Sequence, residues 1–374
     1  MAIVNNHHAF MQIALNLAGR GLGRTWPNPS VGCVIVANGK IVGRGWTQPG
    51  GQPHAEVEAL RRAGSQTNGA TAYVTLEPCV HQGRTPPCTE ALINSGIKKV
   101  MISLHDPDPR VNGRGIKALQ NAGIKTEIGL CSEEAKKVTA GFLQRVYNSK
   151  PFITLKFATT LDGMIATGGG VSEWITGETS RRLGHLLRAN HDAVLIGSQT
   201  AEKDNPLLTC RLPGMRECSP IRIIVASSLR LPLSHKLIQT ALEIPTWFFT
   251  VSNSQQDNKI SKAYEKAGVK LFIVKPDEKG KPNLLEVVEA LGKKGITRLL
   301  VEGGGKIASS FLKEALVDEI FWFRAAKIIG GDGVQAISKM GIENIKDTIQ
   351  VKRLSVEIMG EDVLERYSLK SIRD

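Results

Sequence analysis

Short apolar strands alternate with helices along almost the whole chain, and this alternation limits the possible folds more than any other feature. Residues 31–36, 193–197 and 221–226 are runs rich in β-branched side chains. Apolar residues at helical spacing separate such runs, as over residues 54–63 and 284–293. Buried strands joined by helical crossovers are typical of α/β proteins. The sequence therefore predicts an α/β fold.

The alternation runs in two series, which meet at Asn148-Ser149-Lys150-Pro151. A chain of 374 residues also exceeds the ~100–200 residues of an ordinary domain. We therefore expect two domains, residues 1–148 and residues 149–374.

The lengths of the apolar runs, the N-terminal pattern and the cysteines indicate the cellular location of the protein. The apolar runs are far shorter than the ~20 residues that span a bilayer, and the N-terminus lacks the pattern of a secretory signal. Six unevenly spread cysteines form no disulfide framework. We therefore expect a cytoplasmic protein with no membrane partner.

The net charge of +13 suits anionic ligands, either nucleic acid or phosphorylated small molecules. A surplus of this size can also serve solubility alone. Charge by itself does not decide between these readings.

Histidine and cysteine residues in the pattern of a zinc site occur in the first domain. The motifs are His54-Ala55-Glu56, Glu77-Pro78-Cys79 and Pro86-Pro87-Cys88. One histidine and two cysteines leave the fourth position of a tetrahedral zinc open for water, whose pKa falls to about 7. Glu56 could carry a proton from that water to a leaving amine. This is the signature of zinc nucleobase deaminases; the alternatives are a closed structural zinc site or unrelated buried residues.

The spacing of the two cysteines separates subclasses of such enzymes. The general signature is Cys-x-x-Cys, whereas residues 80–87 lie between Cys79 and Cys88 in this chain. Cys79 must therefore ligate from the loop before the helix. The insert places His81 and Arg84 beside the metal site, where they suit an anionic group next to the reacting base.

Together these motifs resemble the bifunctional deaminase–reductase family of riboflavin biosynthesis. The resemblance rests on Thr25-Trp26-Pro27-Asn28-Pro29-Ser30-Val31-Gly32, on the His54 motif, and on the whole segment from Glu77 to Cys88. It covers nearly the whole chain and implies an N-terminal cytidine-deaminase-like α/β/α domain followed by a dihydrofolate-reductase-like α/β domain.

The implied first reaction is zinc-dependent hydrolytic deamination of 2,5-diamino-6-(5-phosphoribosylamino)pyrimidin-4-one. By the same resemblance, Asn28 would contact the base, while His81 and Arg84 would lie near the ribose phosphate. Two positions depart from the family pattern. Asp108 in Asp106-Pro107-Asp108-Pro109 stands where the family usually has Asn, and Thr47 stands where its members commonly have His.

The second domain carries a glycine-rich turn. A strand over residues 298–302 runs into Gly303-Gly304-Gly305-Lys306 and then a helix. Backbone amides at such a helix N-terminus bind phosphate, although the pattern is not the Gly-x-Gly-x-x-Gly of a Rossmann site. By themselves the turn, Trp174, Lys156, Arg188 and Arg211 are equally compatible with structural or surface roles.

The resemblance implies an NADPH-dependent reductase that opens the ribosyl group to a ribityl chain. NADPH would border Ala158, Trp174, Thr200, Asp204, Ser227, Gly304, Gly305, Lys306, Ile307, Ala308, Ser309 and Ser310. The substrate would be held by Ser172, Arg188, Leu208, Arg211 and Glu302. The arginines suit its phosphate, because a planar guanidinium can bond two oxygens at once. From its location in a strand, Lys156 is our candidate to polarise the reacting sugar nitrogen or oxygen.

Two other classes of protein share part of this pattern. A nucleic-acid (tRNA) deaminase would need neither the long cysteine loop nor the second domain. A non-catalytic, zinc-stabilised RNA-binding protein would not need Glu56. We therefore predict a hydrolase and NADPH-dependent oxidoreductase with one zinc per deaminase domain, acting on phosphoribosylated pyrimidines. We further expect no nucleic-acid partner and a homo-oligomer, either a dimer or a tetramer.

Overall fold

The computed structural model describes residues 6–83, 85–251 and 257–369. The chain forms two compact units that meet between Lys150 and Pro151. In the part of the chain that the model describes, no helix is both long and apolar enough to cross a membrane.

In the described residues of the first unit, 6–83 and 85–150, there are five α-helices and five strands. In chain order they are α1 (His7–Gly19), β1 (Gly32–Ala37), β2 (Lys40–Trp46), α2 (Ala55–Ala63), β3 (Thr71–Val74), α3 (Cys88–Asn94), β4 (Lys99–Ile102), α4 (Arg114–Asn121), β5 (Lys125–Ile128) and α5 (Ser132–Asn148). The strands form one sheet in the order β2-β1-β3-β4-β5. The β1 strand is antiparallel to β2 and β3, whereas β3, β4 and β5 are parallel.

Helices cover both faces of this sheet because successive strand residues point to opposite sides. Val34 belongs to a buried cluster with side chains of α1, and Cys33 and Ile35 belong to one with side chains of α2, α3 and α4. Glycine allows α2 to lie directly on β2, since a Cβ at Gly43 or Gly45 would overlap backbone oxygens of α2. This close approach determines where the N-terminus of α2 lies.

The second unit is built on a larger sheet. Its elements are β6 (Phe152–Thr159), β7 (Met164–Ala166), α6 (Glu178–Ala189), β8 (Ala193–Gly197), α7 (Ser198–Asp204), β9 (Ile221–Val225), α8 (Lys236–Gln239), β10 (Thr246–Val251), α9 (Asp257–Lys266), β11 (Val269–Val274), α10 (Leu284–Lys293), β12 (Arg298–Val301), α11 (Gly305–Lys313), β13 (Glu319–Arg324), β14 (Val334–Gln335), β15 (Lys352–Met359) and β16 (Asp362–Ser368).

Nine of these strands pair in the order β11-β10-β9-β8-β12-β6-β13-β16-β15, and β7 pairs with β14. From β11 to β13 every neighbouring pair is parallel, while β16 is antiparallel to both β13 and β15. The parallel strands β8, β9 and β10 are buried, as their β-branched composition predicts. Both units are mixed α/β, which confirms the predicted fold class.

Candidate active sites

Three predicted metal ligands come together in the first unit. His54 is the N-cap residue of α2, Cys79 lies in the loop after β3, and Cys88 is the first residue of α3. His54 Nδ1 lies 3.2 Å from Cys88 Sγ and 3.6 Å from Cys79 Sγ. The three ligand atoms all lie within 4.8 Å of one another. One imidazole and two thiols are a donor set that zinc prefers, so these residues fit the metal.

The electrostatics of this cluster favour a thiolate. The hydrogen bond with the Cys88 thiol, aided by His54, lowers the pKa of Cys79 to about 4. The pKa of Cys88 is raised by the same pairing with Cys79 and by burial. The backbone N–H of Cys88, at the N-terminus of α3, donates to Cys79 Sγ at 3.4 Å. One ligand is therefore already anionic at neutral pH, as metal binding requires.

Glu56 lies in the first turn of α2, and its side chain is almost completely buried. Burial raises the pKa of its carboxyl group, although the neighbouring His54 opposes this shift. The carboxyl group therefore sits beside the three ligands in a place that excludes bulk water.

A further buried side chain, Glu77, holds the segment after β4, and sequence reasoning missed this role. Its Oε2 accepts from the backbone N–H groups of Asp106 and Gly113, at 3.2 and 3.1 Å. Its Oε1 accepts from Ile116 N–H at 3.2 Å. The position of Glu77 before Pro78-Cys79 is a local signal, but its partners lie 29 to 39 positions away in sequence, so only the folded chain reveals the role.

Two of the predicted base and phosphate contacts, Asn28 and His81, lie on loops of the same unit. Asn28 donates from Nδ2 to the carbonyl oxygen of Gly51 at 3.1 Å, which ties it to the segment before His54. His81 is half-buried, and its Nδ1 has no hydrogen-bond partner among the residues described. Arg84 lies outside the described residues.

The two departures from the family pattern have local partners. Thr47 Oγ1 accepts from the backbone N–H of Val31 at 2.9 Å, so this hydroxyl joins the ends of β1 and β2. Asp108 forms an ion pair with Arg110, with 2.6 Å between Oδ2 and Nη2.

In the second unit, most predicted cofactor residues follow the carboxyl ends of neighbouring parallel strands. Ala158 lies near the end of β6, Thr200 and Asp204 lie in α7 directly after β8, and Ser227 follows β9. The glycine turn follows β12, which lies between β8 and β6. Because the carboxyl ends of parallel strands meet at one edge of a sheet, these residues gather there. This edge is where open α/β sheets bind ligands.

The glycine turn places the N-terminus of α11 directly after β12. Gly303 has a φ of +122°, a conformation that favours glycine, and Gly304 is the N-cap residue of α11. Gly304 N–H donates to Thr200 Oγ1 at 3.1 Å, which joins two of the predicted residues. Lys306 is exposed in the first turn of α11. Such a turn at a helix N-terminus fits the phosphates of a dinucleotide.

The remaining predicted residues of α11 are less accessible. Ala308 and Ser309 are buried, and the Ser309 hydroxyl accepts from the backbone N–H of Ser338 at 2.8 Å. Ile307 and Ser310 are half-buried.

An exposed segment carries Ser172 and Trp174. The indole of Trp174 is 57 % exposed, and the Arg181 guanidinium lies over it at 4.8 Å from the ring centroid. Lys327 Nζ donates to the Trp174 carbonyl oxygen at 2.7 Å. The pKa of Asp204 is raised, first by burial and also by Glu173 in this segment. The Trp174 segment and α7 therefore lie near each other.

The predicted substrate residues form a charged cluster at the same sheet edge. Arg188 Nε and Nη2 each donate to a Glu302 oxygen at 2.8 Å, and Arg188 Nη1 donates to the Thr209 carbonyl oxygen at 3.1 Å. Burial alone would raise the pKa of Glu302, but Arg188 and Lys156 outweigh it and lower the pKa to about 2. Burial lowers the pKa of Lys156, against the influence of Glu302.

Arg211 is exposed, and Leu208 is buried with a φ of +54°. His185, which sequence reasoning missed, connects the Arg211 segment to α6. Its Nδ1 lies 3.2 Å from the Thr209 carbonyl oxygen and 3.4 Å from the Arg211 backbone nitrogen. The spacing of His185 and Arg188 on one helix face was the available signal.

Family models match both units. Residues 4–104 match the cytidine and deoxycytidylate deaminase zinc-binding region, and residues 151–364 match the RibD C-terminal domain. The fold and sites thus define a zinc-type deaminase joined to a reductase of the RibD type.

The sequences of known proteins show which family within this class the chain belongs to. The riboflavin biosynthesis protein RibD of Aquifex aeolicus is 45% identical over 95% of this chain and 96% of its own length. The Escherichia coli protein of the same name is 42% identical over 95% of this chain and 97% of its own length. This chain therefore belongs to the riboflavin biosynthesis protein RibD family.

Solved structures agree with this membership. Acinetobacter baumannii RibD matches with a TM-score of 0.87 and 36% identity, covering 99% of this chain and 100% of that one. The diaminohydroxyphosphoribosylaminopyrimidine deaminase/5-amino-6-(5-phosphoribosylamino)uracil reductase of Thermotoga maritima matches with a TM-score of 0.85 and 35% identity, covering 97% and 99%. The predicted bifunctional enzyme of riboflavin biosynthesis, a hydrolase and an oxidoreductase, is confirmed.

Proposed function

We propose that residues 1–148 hydrolytically deaminate 2,5-diamino-6-(5-phosphoribosylamino)pyrimidin-4-one and that residues 149–374 reduce the ribosyl group of the product with NADPH. The observation that carries this proposal is the convergence of His54, Cys79 and Cys88 at two helix N-termini, with the buried Glu56 beside them. The substrates named for the Thermotoga maritima relative support the choice of pyrimidine.

His54, Cys79 and Cys88 would hold one zinc ion in the first unit. Zinc supplies, when bound, a water of pKa about 7 as a nucleophile at neutral pH. Glu56 would hold the proton at its carboxylate and pass it to the departing amine, which a buried carboxyl beside the ligands can do without exchange with bulk water. Asn28 would orient the pyrimidine, since its amide is held by Gly51. His81 and Arg84 would contact the ribose phosphate.

NADPH would bind at the carboxyl edge of the second sheet and supplies, when bound, a hydride. Gly304, Gly305 and Lys306, with Ile307, Ala308, Ser309 and Ser310 behind them, would border its phosphates. Thr200 supports this turn through its bond from Gly304. Ala158, Trp174, Asp204 and Ser227 would border the rest of the dinucleotide.

The ribosyl substrate would lie between β6 and the Arg211 segment. Arg211 is exposed and suited to the phosphate, and Ser172 and Leu208 would line the path to it. Arg188 and Glu302 form a rigid pair that would orient the sugar. Lys156 lies within electrostatic range of that pair and would polarise the reacting sugar nitrogen or oxygen.

Two assays on one preparation test the proposal. Release of ammonia from the diaminopyrimidinone substrate should require zinc and be lost on chelation. Decrease in NADPH absorbance at 340 nm should require the deaminated product and survive chelation. Oxidation of NADPH without the deaminated product, or deamination of tRNA in preference to the free pyrimidine, would contradict the assignment. The cytoplasmic location and the homo-oligomeric state stay predictions.

A further inference from the structure

The loop after β4 contains an ion pair between Asp108 and Arg110. Arg110 donates from Nε to Asp108 Oδ1 at 3.0 Å and from Nη2 to Oδ2 at 2.6 Å. The Arg110 backbone N–H also donates to Oδ1 at 2.9 Å. The Asp108 side chain is 14% exposed and that of Arg110 is 67% exposed. The carboxylate is therefore held within the loop, and the guanidinium covers it from the solvent side.

Hydrogen bonds hold the backbone of Asp108 on both sides. The backbone N–H of Asp108 donates to Asp106 Oδ1 at 2.8 Å. The backbone N–H of Asp106 donates in turn to the buried Glu77 at 3.2 Å. The Asp108 carbonyl oxygen accepts from Val111 N–H at 2.8 Å. The backbone and side-chain bonds together keep the Asp108 carboxyl group at this place in the loop.

This charge lies near the metal ligands and the insert between the cysteines. Arg110 is the main cause of the lowered pKa of Asp108, and His81 of the insert adds to the effect. The loop is also joined directly to the ligand segment, because the backbone N–H groups of Asp106 and Gly113 donate to Glu77, two residues before Cys79, at 3.2 and 3.1 Å. The Asp108 loop and the insert are thus within electrostatic range of each other. An uncompensated carboxylate here would repel an anionic substrate.

We propose that Arg110 is a specificity-determining residue of the deaminase site, which cancels the charge of Asp108 so that a phosphorylated substrate can bind beside His81. The proposal rests on the proposed deaminase function. Arg110 acts here through Asp108, so its loss harms binding only while Asp108 remains charged.

A double-mutant cycle in the zinc-loaded full-length enzyme separates this role from a direct contact. Arg110→Ala should raise the KM for the phosphorylated diaminopyrimidinone roughly five- to tenfold with little change in kcat, as expected when binding alone is lost. Asp108→Asn alone should leave KM at or below the wild-type value. The double variant should return KM close to wild type.

Two controls distinguish an effect of misfolding from an effect of the uncompensated Asp108 charge. Lys99→Ala removes a cation that is also paired, 2.6 Å from Glu127, but lies at the other end of β4. It should leave the deaminase KM unchanged. NADPH oxidation by the second unit and zinc content should be equal in all variants.

Equal weakening in Arg110→Ala and in the double variant would overturn the proposal, because Arg110 would then bind the phosphate itself. An unchanged KM in Arg110→Ala would overturn it as well. The same variants can be compared without turnover by measuring the binding of ribose 5-phosphate by equilibrium dialysis. All of them then also carry Arg211→Ala, which removes the proposed phosphate contact of the reductase. The wild type could fail to deaminate the pyrimidine while the variants still show the expected pattern of ribose 5-phosphate binding. That result would show that the proposed substrate is wrong and that Arg110 nevertheless cancels the charge of Asp108.

Discussion

Arg188 holds Glu302 through two parallel hydrogen bonds, Nε to Oε1 and Nη2 to Oε2, each 2.8 Å long. The pair joins α6 to the residue that follows β12, across 114 positions of sequence. Both side chains are largely buried, at 16% and 11% exposure. Much of the hydrogen-bonding capacity of Arg188 is therefore taken up by Glu302, which leaves Arg211 as the more accessible cation for a phosphate.

Acid should destabilise the second unit through Glu302. Its pKa is about 2 in the folded chain, against about 4.3 in an unfolded one. The unfolded chain therefore binds the proton more readily, and the stabilisation, at most about 3 kcal/mol, is present above pH ~4.3 and lost as the pH falls toward ~2. Calorimetric unfolding between about pH 5 and about pH 3 should show a flatter pH dependence for Glu302→Gln. The exposed Glu314→Gln should behave as wild type, and equal slopes for all three proteins would contradict the prediction.

Glu56→Ala should abolish deamination while leaving reduction intact. Loss of a group that transfers the proton costs at least ~10²-fold in rate, whereas the three ligand atoms remain in place. Zinc content by atomic absorption, ammonia release and NADPH oxidation on supplied deaminated product measure the three quantities. Glu90→Ala, an exposed acid in α3, serves as the control. Loss of both activities in a folded Glu56→Ala protein would refute the separation of the two sites.

Arg211→Ala should weaken binding of the phosphorylated reductase substrate. A charge-assisted hydrogen bond contributes about 1.5–3 kcal/mol, which corresponds to roughly a ten- to hundredfold rise in KM. The KM for NADPH should change far less. Arg216→Ala, in the same exposed region and paired with Glu243 at 3.4 Å, should change neither constant. A similar rise in both constants would place Arg211 away from the substrate phosphate.

Arg84→Ala should lower deaminase efficiency on the phosphorylated pyrimidine with little change in zinc content. The reason is the loss of one positive charge from the insert between the cysteines. The dephosphorylated analogue should be a poor substrate for the wild type and should lose little more in the variant. Catalytic efficiencies on both compounds at one fixed salt concentration provide the test. If the wild type handles the two compounds equally, the insert has no role in selection.

Local sequence signals were sufficient where the chemistry depends on neighbouring residues. The identity of the metal-ligand candidates followed from His54 and Cys88 at predicted helix starts and Cys79 in the preceding loop, and the structure brings these three side chains together. The apolar strand β8 matches the predicted residues 193–197, and β9 lies within the predicted residues 221–226. A run of buried β-branched residues specifies a strand without reference to distant partners.

Neither β5 nor β15 was predicted from the sequence, because both strands carry weak local signals. β5 (Lys125–Ile128) is mostly exposed and polar, and β15 (Lys352–Met359) is an exposed edge strand with a register shift between Arg353 and Ser355. Each is a strand because a neighbouring strand offers backbone hydrogen bonds. Side-chain pattern alone carries little of that information.

The sequence by itself determined the two-part α/β architecture and the set of groups able to bind a metal, because burial periodicity and helix-start chemistry act over a few residues. Only the tertiary structure decided that Glu77 holds the loop from Asp106 to Ile116 and that Arg188 pairs with Glu302. Charges far apart in sequence interact only after folding brings them within a few ångströms and removes the water that would otherwise screen them.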